Sequence, residues 1–480
     1  MNENARQRIL NGVLPFEIFR FGTPIAIGMG LQTTFALVDT FIIARLSPEV
    51  AGPALGASSI SDQLTAIGTI VSFGLTTAST AMIARAHGAG EHANVRRYVW
   101  QSILAVAALA LLFGGGISLF ARTILEGVVG VKGEVAAMGV DYLRVNAGGS
   151  FTMFFLLQLT SVQRALGSSK TPVLLLVGAN VLNLVSSVLF SYGPGDAPAV
   201  FSWGPPIAAA LGIPRMDLMG AAWSTFVARS VFLVPVVWLL FRRFDVFDRE
   251  SVGGVDERVL RSMWSVAWPS STQLVVRMLA MLMVQSIVAR AFTTEADTTA
   301  TTAMGIVFKL ETMALFIAMG WGSAAQTFIG QNLGAGQEAR STRSGWWATG
   351  YNAVFTILVV VPYLAFGAEI VGFFDATPAV VATAKGYLDV VALSYLALGT
   401  SVVLGNCFAG GGASRVGLIN DLIGVLGFQV PACLVAIGLL AGTMHQLWVA
   451  VAIAYVFQGL LSVGFYAWVP WTHHAKRLSA

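Results

Sequence analysis

Apolar residues run along this chain in long unbroken stretches, not in the narrow stripe of a helix that hides one face. An α-helix needs roughly 20 such residues to cross a hydrocarbon core. The stretches predict spans at 16–45, 53–84, 98–120, 138–163, 171–192, 218–241, 262–291, 298–330, 344–372, 382–408, 416–441 and 445–470. A membrane barrel would instead show alternating segments of about ten residues. Several stretches exceed the bilayer requirement, so tilted, kinked or projecting helices are expected. The predicted fold class is therefore an all-α integral membrane protein with twelve transmembrane helices.

The polar positions between the spans carry the topology. With the N-terminus inside, the segments 1–15, 85–97, 164–170, 242–261, 331–343, 409–415 and 471–480 hold 17 of the 28 Lys and Arg. The opposite loops together with the outer ends of the spans beside them hold 7, and Arg20, Arg229, Arg277 and Lys309 lie deeper within spans. That bias places both termini in the cytoplasm. The opening residues are polar and basic and no short cleavable apolar region follows, so the first apolar run is read as a retained helix.

The chain also resembles itself at a shift of about 245 residues. Pro24 matches Pro269, and Ile43-Ala44-Arg45 matches Val288-Ala289-Arg290. Gly167-Ser168-Ser169-Lys170 matches Gly412-Ala413-Ser414-Arg415, and Gly88-Ala89-Gly90 matches Gly334-Ala335-Gly336. Six spans per repeat return the chain to its starting side, so the repeats are parallel and related by an axis along the membrane normal. The expected organisation is an N-lobe over 1–241, a cytoplasmic linker over 242–261 and a C-lobe over 262–480. Parallel repeats favour a transporter, in which one lobe rocks against the other.

Composition supports the membrane reading and removes alternatives. Hydrophobic residues make up 56% of the 480 and charged residues 11%, against about 25% charged in a soluble domain. The net charge of +4 is scattered in short clusters, so nucleic acid is not an expected partner. Cys407 and Cys433 both fall in apolar stretches and read as small core residues, not a disulfide. No phosphate-binding GxxxxGK[ST] loop occurs, and the five histidines show no metal-ligand spacing, so neither ATP hydrolysis nor an enzyme is predicted and no cofactor is expected.

The ordered joints of the repeat resemble the multidrug and toxic compound extrusion (MATE) family over nearly the whole chain. Phe21-Gly22-Thr23-Pro24 and Val38-Asp39-Thr40 look like its first helix. Arg85 to Gly90 and Gly330 to Gly336 look like its paired helix 2–3 and 8–9 loops. Gln163-Arg164-Ala165-Leu166-Gly167 with Asn183, and Gly220 to Thr225, look like its helix 4–5 region and sixth helix. The resemblance implies export of organic cations and related compounds by exchange with protons or sodium ions, from the plasma (inner) membrane, by a protein expected to act as a monomer. The DinF-type branch is the nearer one, although Ser187 stands where many of its members carry a second acid. Where the NorM-type branch has a glutamate in helix 7, this chain has Arg277, and no acid lies deep in helix 10.

A carboxylate inside the hydrocarbon is costly and so is a functional candidate by default. Asp39 leads. Asn180, Asn183 and Ser187 share one face of helix 5 at i, i+3 and i+7, and Thr225 lies at a matching depth in helix 6. Together these residues are expected to form the coupling site. A carboxylate there can load and release a proton; with the amide and hydroxyl oxygens of Asn183 and its neighbours it can also ligate sodium. One carboxylate alone favours the proton. The same residues would also serve as bundle packing. Pro24 is a candidate hinge in helix 1, or a static kink. Arg277, Lys309 and Glu311 form a charged set in the C-lobe. Matched depths predict an Arg277–Glu311 ion pair, either structural or in contact with substrate. Competing functions are a flippase for a lipid-linked or polar-headgroup substrate, kept open by Arg277 and Lys309, and a channel or receptor, disfavoured by the repeat and the lack of a pore loop or sensory domain.

Overall fold

The structure, a computed structural model, describes residues 3–244, 253–294, 297–438 and 442–473. Among the described residues, eleven single helices are long and apolar enough to cross a membrane: α1 (Leu14–Ala44), α2 (Glu49–Ala89), α3 (His92–Leu119), α5 (Lys170–Tyr192), α6 (Asp217–Arg242), α7 (Glu257–Phe292), α8 (Thr299–Gly334), α9 (Glu338–Ala365), α10 (Pro378–Gly410), α11 (Ser414–Gly438) and α12 (Met444–Trp468). The remaining span, α4, is built in two pieces, Gly133–Gly148 and Ser150–Ala165. Each piece has 16 residues, too few to cross alone. Twelve transmembrane helices therefore result, as the apolar pattern predicts, and no strand forms among the described residues.

Two departures from regularity are visible. The 41 residues of α2 measure about 60 Å at ~1.5 Å per residue, twice the hydrocarbon thickness. α3 and α11 each contain a widened turn, at Ala110–Gly115 and Ile423–Gln429; such turns displace the following residues around the helix axis. Large apolar side chains such as Leu111, Leu119, Leu460 and Trp468 face outward, as lipid allows and water would not.

The contacts group into two compact units, one of residues 31–79 and 92–261 and the other of residues 3–30, 80–91 and the chain from 262 onward. α1 and α2 are thus shared out: the end of α1 carrying Pro24 and the end of α2 carrying His87 belong with α7 to α12. Within that second unit α2 and α8 meet backbone to backbone. A Cβ on Gly88 would lie 2.0 Å from the Gln331 carbonyl oxygen, and one on Gly334 would lie 2.0 Å from that of Arg85. Only glycine at both positions lets the two helix ends cross so closely. The short helix Glu3–Asn11 is tied to the same place, since Arg6 donates to the Gly88 carbonyl and Arg340 to those of Ile9 and Gly12. Pro24 sits inside α1 with helix on both sides. Its neighbours Phe21 and Gly22 lie against Phe328 and Trp321 of α8.

Candidate ion and cargo site

In the first unit a chain of hydrogen bonds links three helices. Asp39 on α1 accepts from the Asn183 amide nitrogen on α5 at 2.8 Å. The Asn183 carbonyl oxygen in turn accepts from Thr225 at 3.1 Å and from Ser224 at 3.3 Å, both on α6. Asn183 is therefore the bridge, its donor fixed on the carboxylate and its acceptor fixed by hydroxyls. Both hydroxyls also donate back to the Ala221 carbonyl, as serine and threonine within helices commonly do. Their hydrogens are thus shared, and the Asn183 oxygen keeps capacity for another donor or a cation. Asp39 Oδ1 makes no hydrogen bond among the described residues.

These groups border a cavity of about 120 Å³ lined by Gln32, Asp39, Asn180, Asn183, Thr225 and Arg229 on its polar side. Phe35, Met153, Leu156, Leu157 and Leu176 supply an apolar wall. A few convergent polar groups in an apolar pocket is the usual form of a small-molecule site. Of the residues expected from sequence, Asp39, Asn180, Asn183 and Thr225 come together here. Ser187 does not; one helical turn beyond Asn183, it is fully buried and does not line the cavity.

Three members of this neighbourhood were not singled out by the sequence reading. Ser224 joins the Asn183 oxygen beside Thr225. Arg229 follows Thr225 by one helical turn, so it shares that face of α6 and reaches the cavity. Asp62, in the middle of α2, accepts from Asn146 of α4 at 3.2 Å. The charges felt by Arg229 are those of Asp39 and Asp62. The rule that selects Asp39, an acid inside an apolar span, selects Asp62 as well.

The charged set in the second unit is corrected by the structure. Arg277 does not pair with Glu311. Its Nε donates to Asp421 Oδ2 at 2.9 Å and its Nη2 to Asp421 Oδ1 at 3.0 Å. Ser401 accepts from the same Nη2 at 3.2 Å, and Gln458 donates to Asp421 at 3.0 Å. Glu311 is instead held by tyrosines: Tyr455 donates to Oε1 at 2.6 Å and Tyr387 to Oε2 at 2.9 Å. Lys309 is exposed while Glu311 is buried, as their two-residue separation requires. Matched depth was a poor guide because it ignores azimuth around the bundle. The acid in α11 that satisfies Arg277 was available in the sequence as a charge within an apolar run. Cys407 and Cys433 are both buried thiols.

Comparison with known proteins accounts for the repeat. The MatE family model matches residues 24–189 and again residues 274–435, together well over half of the chain. The chain is 24% identical over 418 residues to "Probable multidrug resistance protein YpnP" of Bacillus subtilis, covering 86% of each. It is 22% identical over 459 residues to "FAD transporter" of Shewanella oneidensis, covering 95% of each. A solved transporter of the MOP superfamily from Pyrococcus furiosus has the same fold, with a TM-score of 0.83 at 18% identity over 98% of each chain.

Proposed function

This chain belongs to the MatE family, and we propose that it is a secondary active antiporter that exports amphipathic organic compounds in exchange for protons. The observation that carries the reading is the Asp39–Asn183–Thr225 relay bordering a cavity inside transmembrane helices. Asp39 and Asp62 together outweigh the one positive charge of Arg229, and the remaining charge on Asp39 can be met by an incoming proton or by a cationic group on the cargo but not by both at once. That mutual exclusion is what exchange requires. Sodium is the alternative coupling ion, ligated by Asp39 with the Asn183 oxygen; the proton is favoured because a single carboxylate bonded to an amide leaves few hard oxygen ligands.

In this reading residues 1–241 and 262–480 act as an N-lobe and a C-lobe that alternate access, with Pro24 as a hinge in α1. Both termini lie in the cytoplasm, and the protein works as a monomer in the plasma membrane. The Asp39–Asn183 pair favours the DinF-type branch, and the Arg277–Asp421 pair in the second unit disfavours the NorM-type one. The names of the relatives, a probable multidrug resistance protein and a FAD transporter, support a broad range of organic cargo.

The test is export from inverted vesicles driven by an imposed pH gradient in sodium-free buffer. Wild-type protein should transport, and Asp39→Asn should fall to background while still inserting and folding, because an amide cannot exchange a proton. Undiminished export by well-folded Asp39→Asn, or a strict need for sodium with no response to the pH gradient, defeats the proton-coupled assignment.

A further inference from the structure

Arg229 is left without an acceptor among the described residues. Among the described residues its guanidinium makes no hydrogen bond and no ion pair, although it lines the cavity and feels the charges of Asp39 and Asp62. Both of those carboxylates are drawn toward other partners, Asp39 to Asn183 at 2.8 Å and Asp62 to Asn146 at 3.2 Å. An arginine within a membrane span is costly, and one with unsatisfied donors more so. Arg277 shows the ordinary solution, a two-pronged carboxylate. Arg229 carries the same fork and borders open space of about 120 Å³, room for several waters at ~30 Å³ each and hence for a carboxylate or phosphate group.

We propose that Arg229 is an oxyanion anchor in the cargo site, and that it binds a carboxylate or phosphate group carried by the exported compound. The proposal rests on the reading of the Asp39 cavity as the transport site and narrows its substrate class. A planar guanidinium with five donors binds such groups in pairs of parallel hydrogen bonds. The apolar wall of Phe35, Met153, Leu156 and Leu176 receives the organic body.

The electrostatics restrict the cargo further. The titratable groups that face this site are Asp39 on α1, Asp62 on α2, the neutral phenol of Tyr142 on α4 and Arg229 on α6. An oxyanion on Arg229 is repelled by ionised Asp39, so by itself it binds best together with a proton, which opposes exchange. A cationic group on the same molecule reverses that sign by competing with the proton at Asp39. A cargo exchanged for protons therefore carries both a cationic group and the anion that Arg229 holds.

Riboflavin and riboflavin 5′-phosphate form a suitable probe pair, being fluorescent and differing only in a phosphate. Their affinities for purified protein in phosphatidylcholine nanodiscs can be read by fluorescence quenching. The phosphate should strengthen binding to wild type by about tenfold or more, the equivalent of one charge-assisted contact. Arg229→Gln should abolish the preference, and Arg229→Lys should keep part of it, since charge survives and the fork does not. Asp39→Asn should strengthen it, because the carboxylate that repels the oxyanion is gone, so a lost phosphate preference and a lost proton coupling are separable results. If phosphatidylglycerol in the nanodisc weakens phosphate binding to wild type but not to Arg229→Gln, the same site also takes an anionic lipid headgroup, and the anchor stands. Equal affinity for the two flavins in wild type, no binding of either, or an unchanged preference in folded Arg229→Gln overturns the proposal.

Discussion

Arg277 and Asp421 form a two-pronged ion pair between α7 and α11, with Nε 2.9 Å from Oδ2 and Nη2 3.0 Å from Oδ1. The side chains are 12% and 1% exposed, so neither can turn to water if the other is removed. Breaking a buried pair by deleting one partner costs about 3–5 kcal/mol, whereas removing both charges is often close to neutral. Arg277→Gln and Asp421→Asn should each lower the melting temperature in detergent, and the double variant should recover much of the loss. Simple addition of the two single effects would mean no coupling between them and would discard the pair as a stabilising unit.

The carboxylate of Glu311 depends on a different chemistry. Tyr455 and Tyr387 donate to its two oxygens, and the residue is only 3% exposed. Each hydroxyl removed leaves a carboxyl oxygen without a donor, at a cost of about 1–3 kcal/mol. Tyr455→Phe and Tyr387→Phe should therefore both destabilise, and Glu311→Gln, which keeps an acceptor and adds a donor, should be milder than Glu311→Ala. Thermal unfolding followed by size-exclusion fluorescence is sufficient. Equal loss in Glu311→Gln and Glu311→Ala would show that the tyrosine hydroxyls do not hold this group.

What the sequence made legible was determined mainly by one variable, hydrophobic length. It fixes where a span must lie, and it did so even for α4, whose two 16-residue pieces read as one apolar run because a break at Gly149 does not interrupt hydrophobicity. The repeat was legible because Gly88 and Gly334 face each other's helix ends, a steric demand that leaves glycine at both. Depth along a span was also readable, which is why Asp39, Asn183 and Thr225 were grouped. Rotation about the bundle was not. Arg277 and Glu311 share a depth yet look toward different neighbours, and nothing in a single chain's spacing shows that α11 supplies Asp421 while α10 and α12 supply Tyr387 and Tyr455 to Glu311. Arg229 escaped notice for a simpler reason: its charge was counted with the topology signals, although its one-turn spacing from Thr225 already put it on the same face.

The crossing of α2 and α8 gives a steric prediction with its own control. A methyl on Gly88 or Gly334 meets a backbone carbonyl at 2.0 Å, an obstacle that no rotamer change relieves. Gly88→Ala and Gly334→Ala should each cost at least the ~1–3 kcal/mol typical of overpacking and lower the yield of folded protein. Gly305, also within α8, has nothing within 4 Å of where a Cβ would sit. Gly305→Ala should be neutral or stabilise by up to ~1 kcal/mol through helix propensity. Parallel melting curves of the three variants decide it, and indistinguishable curves would refute the close crossing.

The last prediction concerns pH and lies outside the spans. The segment before α7 docks on α3 within the first unit: Trp100 donates to the Gly253 carbonyl at 2.7 Å, Gln101 donates to that of Gly254 at 2.9 Å, and Arg97 pairs with Asp256. Asp256 also accepts from the Val259 backbone N–H at 3.2 Å, capping the start of α7. The Arg97 guanidinium, helped by that cap, holds the Asp256 carboxyl below the usual aspartate value of 3.8. A carboxyl whose pKa is lowered on docking favours the docked state above the ordinary aspartate range, and that contribution is lost as pH falls through the lowered value. Amide exchange of residues 253–259, corrected for its intrinsic pH dependence, should therefore stay slow at neutral pH and accelerate only below about pH 4, where aspartate takes up its proton. Asp256→Asn should exchange faster already at neutral pH and lose the acid transition. The contribution should also weaken in high salt, because Arg97 is half exposed and its charge is screened. Protection that persists unchanged into strong acid, or an Asp256→Asn profile matching wild type, would show that the segment is held by Trp100 and Gln101 alone.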